Sequence, residues 1–257
     1  MLLAAGAALV AAFEPAPRVL LRPAFGAYDS AKLQDALGRA LVEYWRSGTP
    51  AFPASLATLV DYWFEWHAIK VVISSLSVIV FALLATALWP RYLRTQAWYA
   101  AVAIAATVST VAAMGVLVLN IQATAVPLVA LLGLLPGSTA DGNLAQVLSQ
   151  MREGLTKSAS PHDGSPALTV LLGEVERYYW VMVAMSAALM VATVLASVLF
   201  WKRRIAAGPS ATRVRFMHST LGVITALTAC LLLVETVGTA LDALEPATSL
   251  LGVIGAG

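Results

Sequence analysis

The sequence predicts an all-α membrane protein. The expected architecture is a four-transmembrane-helix bundle built from a tandem parallel repeat, with a short N-terminal membrane-embedded helix and extracytoplasmic amphipathic helices. Three observations predict it. The 257 residues are 60% hydrophobic and only 12% charged, whereas an ordinary soluble domain carries about 25% charged residues. Half the usual charge cannot cover a soluble protein of this size, and a disordered chain is excluded by the same composition. Four apolar stretches reach the roughly 20 residues that a helix needs to cross about 30 Å of hydrocarbon. Matching runs of residues then recur in the same order with a period of about 115 residues.

The elements follow in chain order. Residues 1–13 are apolar, but thirteen residues reach only about 20 Å as a helix, short of a normal span. They lack the basic start that a signal peptide wants. They are read as an embedded helix or a truncated span in preference to a cleaved signal. Residues 14–66 form an outer helical segment with one clear amphipathic helix near Ser30–Arg46, where Leu33, Leu37, Ala40, Leu41 and Tyr44 recur at helical spacing. Asp29 or Ser30 can cap its start and Gly48 follows its end. A second short helix is expected to open at Pro53-Ala54 and run into Asp61–Trp66. Residues 67–124 are the first transmembrane hairpin, with spans at His67–Trp89 and Ala97–Ile121.

Residues 125–177 repeat the outer segment. Their amphipathic helix falls at Asn143–Thr156, capped by Asp141 or Asn143, and Ser158–Ser165 is a turn-rich linker. Residues 178–241 are the second hairpin, with spans at Trp180–Trp201 and Phe216–Ala240, and residues 242–257 are an outer tail. Trp63, Trp66, Trp89, Trp98, Trp180 and Trp201 mark span ends, where amphipathic rings prefer the interface.

Prolines 15, 127 and 246 register the repeat. Each opens a run rich in leucine, and Asn120–Ala125 aligns with Glu235–Ala240. Each copy holds two spans, so both copies insert in the same sense. The two amphipathic helices are expected to pack on each other as a small lid, because they lack the Lys/Arg-rich face of membrane-surface binders.

Charge distribution supplies orientation. The short loops between spans hold Arg91, Arg94, Lys202, Arg203, Arg204, Arg213 and Arg215 and none of the 14 acidic residues. The net charge of +2 thus divides into +7 from those loops and −5 from the rest. The positive-inside rule places both loops in the cytoplasm. Segments 14–66 and 125–177 and the C-terminus are then extracytoplasmic, in a multi-pass protein of the plasma membrane.

The chemical signals are sparse. There is no G-x-S-x-G, H-E-x-x-H or phosphate-binding glycine loop. His67, His162 and His218 are far apart in topology, and Cys230 sits alone in an apolar run. Neither a metal nor a cofactor is expected, and no residue is assigned a catalytic role. The informative groups are polar residues at the outer ends of the spans: His67, Lys70, Asn120, Gln122 and Glu235. Ionisable groups at membrane depth are costly and find partners, so a polar layer with a Lys70–Glu235 ion pair is expected. The bland alternatives are a Lys70 that snorkels to the interface and amides that act as interhelical glue.

Three functions fit. The first is a non-catalytic subunit or scaffold that binds other membrane proteins through its helices and outer layer. The second is a small-solute or ion transporter or channel component working as an oligomer. The third is a membrane enzyme acting on a lipid-linked substrate in the outer leaflet, for which Asp61, Glu65, Glu174 and Glu235 are the available carboxylates. The expected partners are the lipid bilayer and other membrane-protein subunits or copies of the same chain. Nucleic acid is not among them, since no basic stripe interleaved with aromatics is present. The Ala- and Arg-rich composition resembles that of bacterial multi-span proteins, a likeness that implies no particular activity.

Overall fold

Proline sets the starts of four helices. Lacking an N–H, it costs nothing in the first turn, where that donor has no intrahelical partner, and its fixed φ suits the helix. The structure is a computed structural model that describes residues 1–26, 29–135, 142–157 and 165–255. Among these residues there are ten helices and no strand: α1 (Leu2–Ala12), α2 (Pro15–Phe25), α3 (Ser30–Ser47), α4 (Ala54–Arg94), α5 (Tyr99–Ala125), α6 (Pro127–Leu132), α7 (Gly142–Lys157), α8 (Pro166–Ala206), α9 (Thr212–Leu244) and α10 (Pro246–Gly255). Pro15, Pro127, Pro166 and Pro246 each occupy a first helical position. The proposed cap Asp141 and the linker residues Ser158–Gly164 lie outside the described residues.

Four helices, α4, α5, α8 and α9, are long and apolar enough to cross a membrane, so the chain is a multi-pass membrane protein by length and composition. The short helix expected from Pro53-Ala54 to Trp66 and the first span form one continuous helix. Residues 54–94 form one uninterrupted helix of 41 residues, because no glycine or proline interrupts Asp61–Trp66 and propagation costs less than a new nucleus. At about 60 Å it is twice the hydrocarbon thickness. The same holds for α8, also 41 residues. The bent pair α1 and α2, at 45°, breaks at Phe13-Glu14.

The chain divides into two compact units: residues 1–16, 69–120 and 183–238 form a span unit, and residues 17–68, 121–182 and 239–257 a short-helix unit. Within the span unit, α8 meets α9 through small and hydroxyl residues. A Cβ on Gly222 would lie 3.0 Å from Trp201 Nε1, Ser197 Oγ donates to the Gly222 carbonyl at 3.1 Å, and Thr236 Oγ1 donates to Ser186 Oγ at 2.9 Å. Close approach at small residues, with hydroxyls bonded across it, is how helices associate where no hydrophobic drive exists. Trp89 Nε1 donates to Thr107 Oγ1 at 3.2 Å and ties α4 to α5. Leu84, Leu88, Trp89 and Tyr92 form a cluster with Ala103 and Ala106, against which Leu2, Met217 and Leu221 pack.

Near the basic loops, Arg213 donates to the carbonyls of Tyr92 at 3.1 Å and Thr95 at 2.9 Å. These are carbonyls at the end of α4, which lack helical partners and gather partial negative charge. The side chain is exposed, so the contact stabilises by about 1 kcal/mol. Arg213→Ala is expected to speed amide exchange across residues 91–96 severalfold, and Arg213→Lys to restore part of the protection. Unchanged exchange in the alanine variant would show that the last turn holds without the guanidinium.

The short-helix unit has the denser core. Leu37, Leu41, Tyr44, Leu56, Met151 and Leu171 are fully buried there. α3 begins at Asp29, whose carboxylate accepts from the Lys32 N–H at 2.8 Å, and ends at Gly48, whose φ of 64° is the left-handed turn that glycine adopts without a Cβ clash. Its apolar stripe packs on α7, so closely that a Cβ on Gly38 would lie 3.0 Å from Leu144 Cδ2. At the edge of that contact Trp45 Nε1 donates to Gln150 Oε1 at 3.0 Å and Arg46 Nη2 to Asn143 Oδ1 at 2.6 Å. Within the stretch read as an outer tail, residues 246–255 form the helix α10. It buries Leu250 and Ile254, and Arg152 of α7 donates to its Ile254 carbonyl at 2.5 Å.

Candidate functional site

The five polar residues singled out from sequence are distributed over both units. Lys70, Asn120 and Glu235 belong to the span unit, and His67 and Gln122 to the short-helix unit. His67 Nδ1 lies 2.9 Å from the Trp63 carbonyl one turn back, with the two rings in contact. Asn120 is buried, and its Nδ2 donates to the Val116 carbonyl at 2.7 Å. Both side chains therefore satisfy part of their hydrogen bonding on their own helices, which suits polar groups held among apolar neighbours. Gln122 is buried in the short-helix unit. Glu235 is exposed on a face of α9 that also carries Leu231, Val234 and Leu241, all exposed.

Lys70 forms an ion pair with a residue that the sequence did not single out: its Nζ lies 2.7 Å from Glu14 Oε1. The lysine side chain is 12% exposed and the glutamate 59%. The ammonium also sits 4.6 Å from the centroid of the Phe13 ring, a cation–π distance. The three groups come together because α1 packs against α4. A Cβ on Gly6 would lie 3.0 Å from the Phe81 ring, so the absent side chain lets α1 approach closely. α1 ends at Ala12, and Phe13 and Glu14 follow at the level of Lys70.

Beside this cluster runs a groove of about 330 Å³, inside the 300–1,000 Å³ range typical of small-molecule pockets. Leu9, Val10 and Phe13 of the N-terminal stretch line one wall. Ser74, Ser77 and Phe81 of α4 line a second, and Ser109, Ala112, Ala113 and Val116 of α5 the third. The hydroxyls of Ser74 and Ser77 donate back to the Lys70 and Ile73 carbonyls at 2.7 and 2.8 Å. That leaves these walls effectively apolar. No charged residue lines the groove.

The chain matches no known protein-family model, no curated protein and no solved structure. The site therefore has to be read from its own chemistry. Among the described residues no three His, Cys, Asp or Glu side chains converge as metal ligands would. The residues that sequence reasoning missed are Glu14, Phe13 and the groove serines. A signal for the groove was present: Ser74, Ser77 and Phe81 stand at i, i+3 and i+7 on α4, and Ser109, Ala112, Ala113 and Val116 at i, i+3, i+4 and i+7 on α5. Each set makes a smooth stripe on one helix face.

Proposed function

We propose that the protein is a non-catalytic membrane subunit or scaffold that binds other membrane proteins through its spans and its extracytoplasmic segments. The observation that carries this reading is a contrast in burial. The short-helix unit closes its core within the chain, with Leu37, Leu41, Tyr44 and Leu171 fully buried. The spans do not: within their most apolar 18-residue stretches, only 28% of α4, 17% of α5 and 11% each of α8 and α9 is buried. Large side chains such as Val198 and Leu199 on α8 and Leu231 and Val234 on α9 are exposed. Glu235 lies on that same exposed α9 face.

The element order supports the tandem repeat. A short amphipathic helix, a 41-residue helix, a second span and a proline-started helix occur as α3–α4–α5–α6 and again as α7–α8–α9–α10. On this reading α1 and α2 are the end of a preceding copy. The sidedness proposed from the basic loops completes the picture, with segments 14–66 and 125–177 outside the plasma membrane.

The test is co-purification of the tagged chain from native membranes in mild detergent, with quantitative mass spectrometry. A stoichiometric protein partner, lost when Glu235→Ala and Leu231→Ala are combined, is the expected result. A monodisperse homo-oligomer with no other protein would overturn it in favour of a transporter or channel component, since copies of the chain can cover the same faces.

A further inference from the structure

From the groove and its rim we infer that the protein holds one hydrocarbon chain of a bilayer phospholipid between α1, α4 and α5, with an amine-bearing headgroup seated on the Lys70–Glu14 pair. The inference is independent of what the outer faces of α8 and α9 bind.

Size selects the occupant. Along α4 the groove runs from Ser74 to Phe81, and along α5 from Ser109 to Val116, about 10 Å in each case at 1.5 Å per residue. A helix with its side chains is about 10–12 Å across, and a segment of it that long does not fit into about 330 Å³. A partner helix is thereby excluded from the groove, whereas a single flexible chain fits. Chemistry agrees: the wall is made of Leu9, Val10, Phe81, alanines and serines whose hydroxyls on α4 are turned to their own backbone. Such a surface offers mostly dispersion contacts and little for a polar ligand to bind. All these residues belong to the span unit.

Charge selects the headgroup. Phe13 both lines the groove and lies under the Lys70 ammonium, so the cation stands at the end of the groove beside the chain. The ammonium is the buried member of the pair and Glu14 the exposed one, at 12% and 59%. In a phospholipid the phosphate lies next to the glycerol and the amine lies further out. A buried cation followed outward by an exposed carboxylate matches that order, phosphate to Lys70 and amine to Glu14. A headgroup ending in a neutral glycerol brings no cation of its own to the Glu14 carboxylate.

The full-length protein, reconstituted in vesicles of phosphatidylethanolamine and phosphatidylglycerol at about three to one, tests this with trace phospholipid bearing a diazirine in mid-chain. After irradiation, adducts are mapped by peptide mass spectrometry. With the ethanolamine probe, label is expected to concentrate on peptides holding Val10, Phe81 and Ala113, at least fivefold above those holding Val198 and Leu231, which are also exposed to chains. Ala113→Leu, which fills the groove, is expected to lower groove labelling at least fivefold and leave the α8 and α9 labelling unchanged. Ser109→Leu does the same from the neighbouring turn should the first variant fail to fold. The glycerol probe is expected to label the groove at least fivefold less, and Glu14→Gln to erase that preference. Uniform labelling of all exposed faces, or groove labelling blind to the headgroup, overturns the proposal.

Discussion

Tyr44→Ala is expected to destabilise the short-helix unit by about 3–5 kcal/mol, the range for removing a large aromatic side chain from a packed core. Tyr44→Phe is expected to cost less than about 1 kcal/mol. The difference follows from what the side chain touches. Tyr44 on α3 is fully buried, its ring meets Phe52 edge-on at 5.3 Å, and its hydroxyl donates to the Ala167 carbonyl at a long 3.4 Å. Ring packing therefore dominates and the hydrogen bond adds little. Urea-dependent proteolysis in detergent, read at sites within residues 30–56, measures both variants. A phenylalanine variant as unstable as the alanine variant would show that the hydroxyl, and not the ring, holds α3 to α8.

The same residue carries a pH dependence of definite sign. Burial pushes the Tyr44 phenol up to about 12, with the Glu174 carboxylate adding to the shift. In the unfolded chain it ionises near pH 10. The folded form holds its proton longer, so its contribution to stability is whole below about pH 10 and is lost as pH rises toward about 12. Tyr44→Phe is expected to remove that component of alkaline unfolding.

How much of this was legible in the sequence depends on the length scale of the signal. The four spans were, because each is an apolar run long enough to be unmistakable, and α3 was, because Asp29 and Gly48 bracket a stripe of leucines. α2, α6 and α10 were not recognised as helices. They have only 11, 6 and 10 residues, below the length at which a helix is stable alone. They persist by burying Leu21, Leu131 and Leu250, which is tertiary information. Their prolines registered as repeat markers, yet each one also starts a helix. The Lys70–Glu14 pair was illegible for a different reason. The partners are 56 residues apart, and what joins them is the approach of α1 to α4 at Gly6, a packing event that no periodicity encodes.

Sidedness is open to an all-or-none measurement. In a Cys230→Ser background, Ala51→Cys is expected to react with a membrane-impermeant maleimide in intact cells. Gly208→Cys is expected to react only after permeabilisation. Both positions are exposed outside the helices, and the reverse pattern would sink the orientation. The physical reason is the set of seven basic residues and no acids within residues 91–98 and 202–215, the helix ends and connections on that side. Each positive charge carried outward against an inside-negative potential of about 100 mV costs about 2.3 kcal/mol, so the inverted protein is heavily disfavoured. On the expected orientation the connections at residues 95–98 and 207–211 are the ones placed inside, and each is too short to bury a standard-sized interface. The segments expected outside carry twelve of the fourteen acids, with Glu235 and Asp242 in α9.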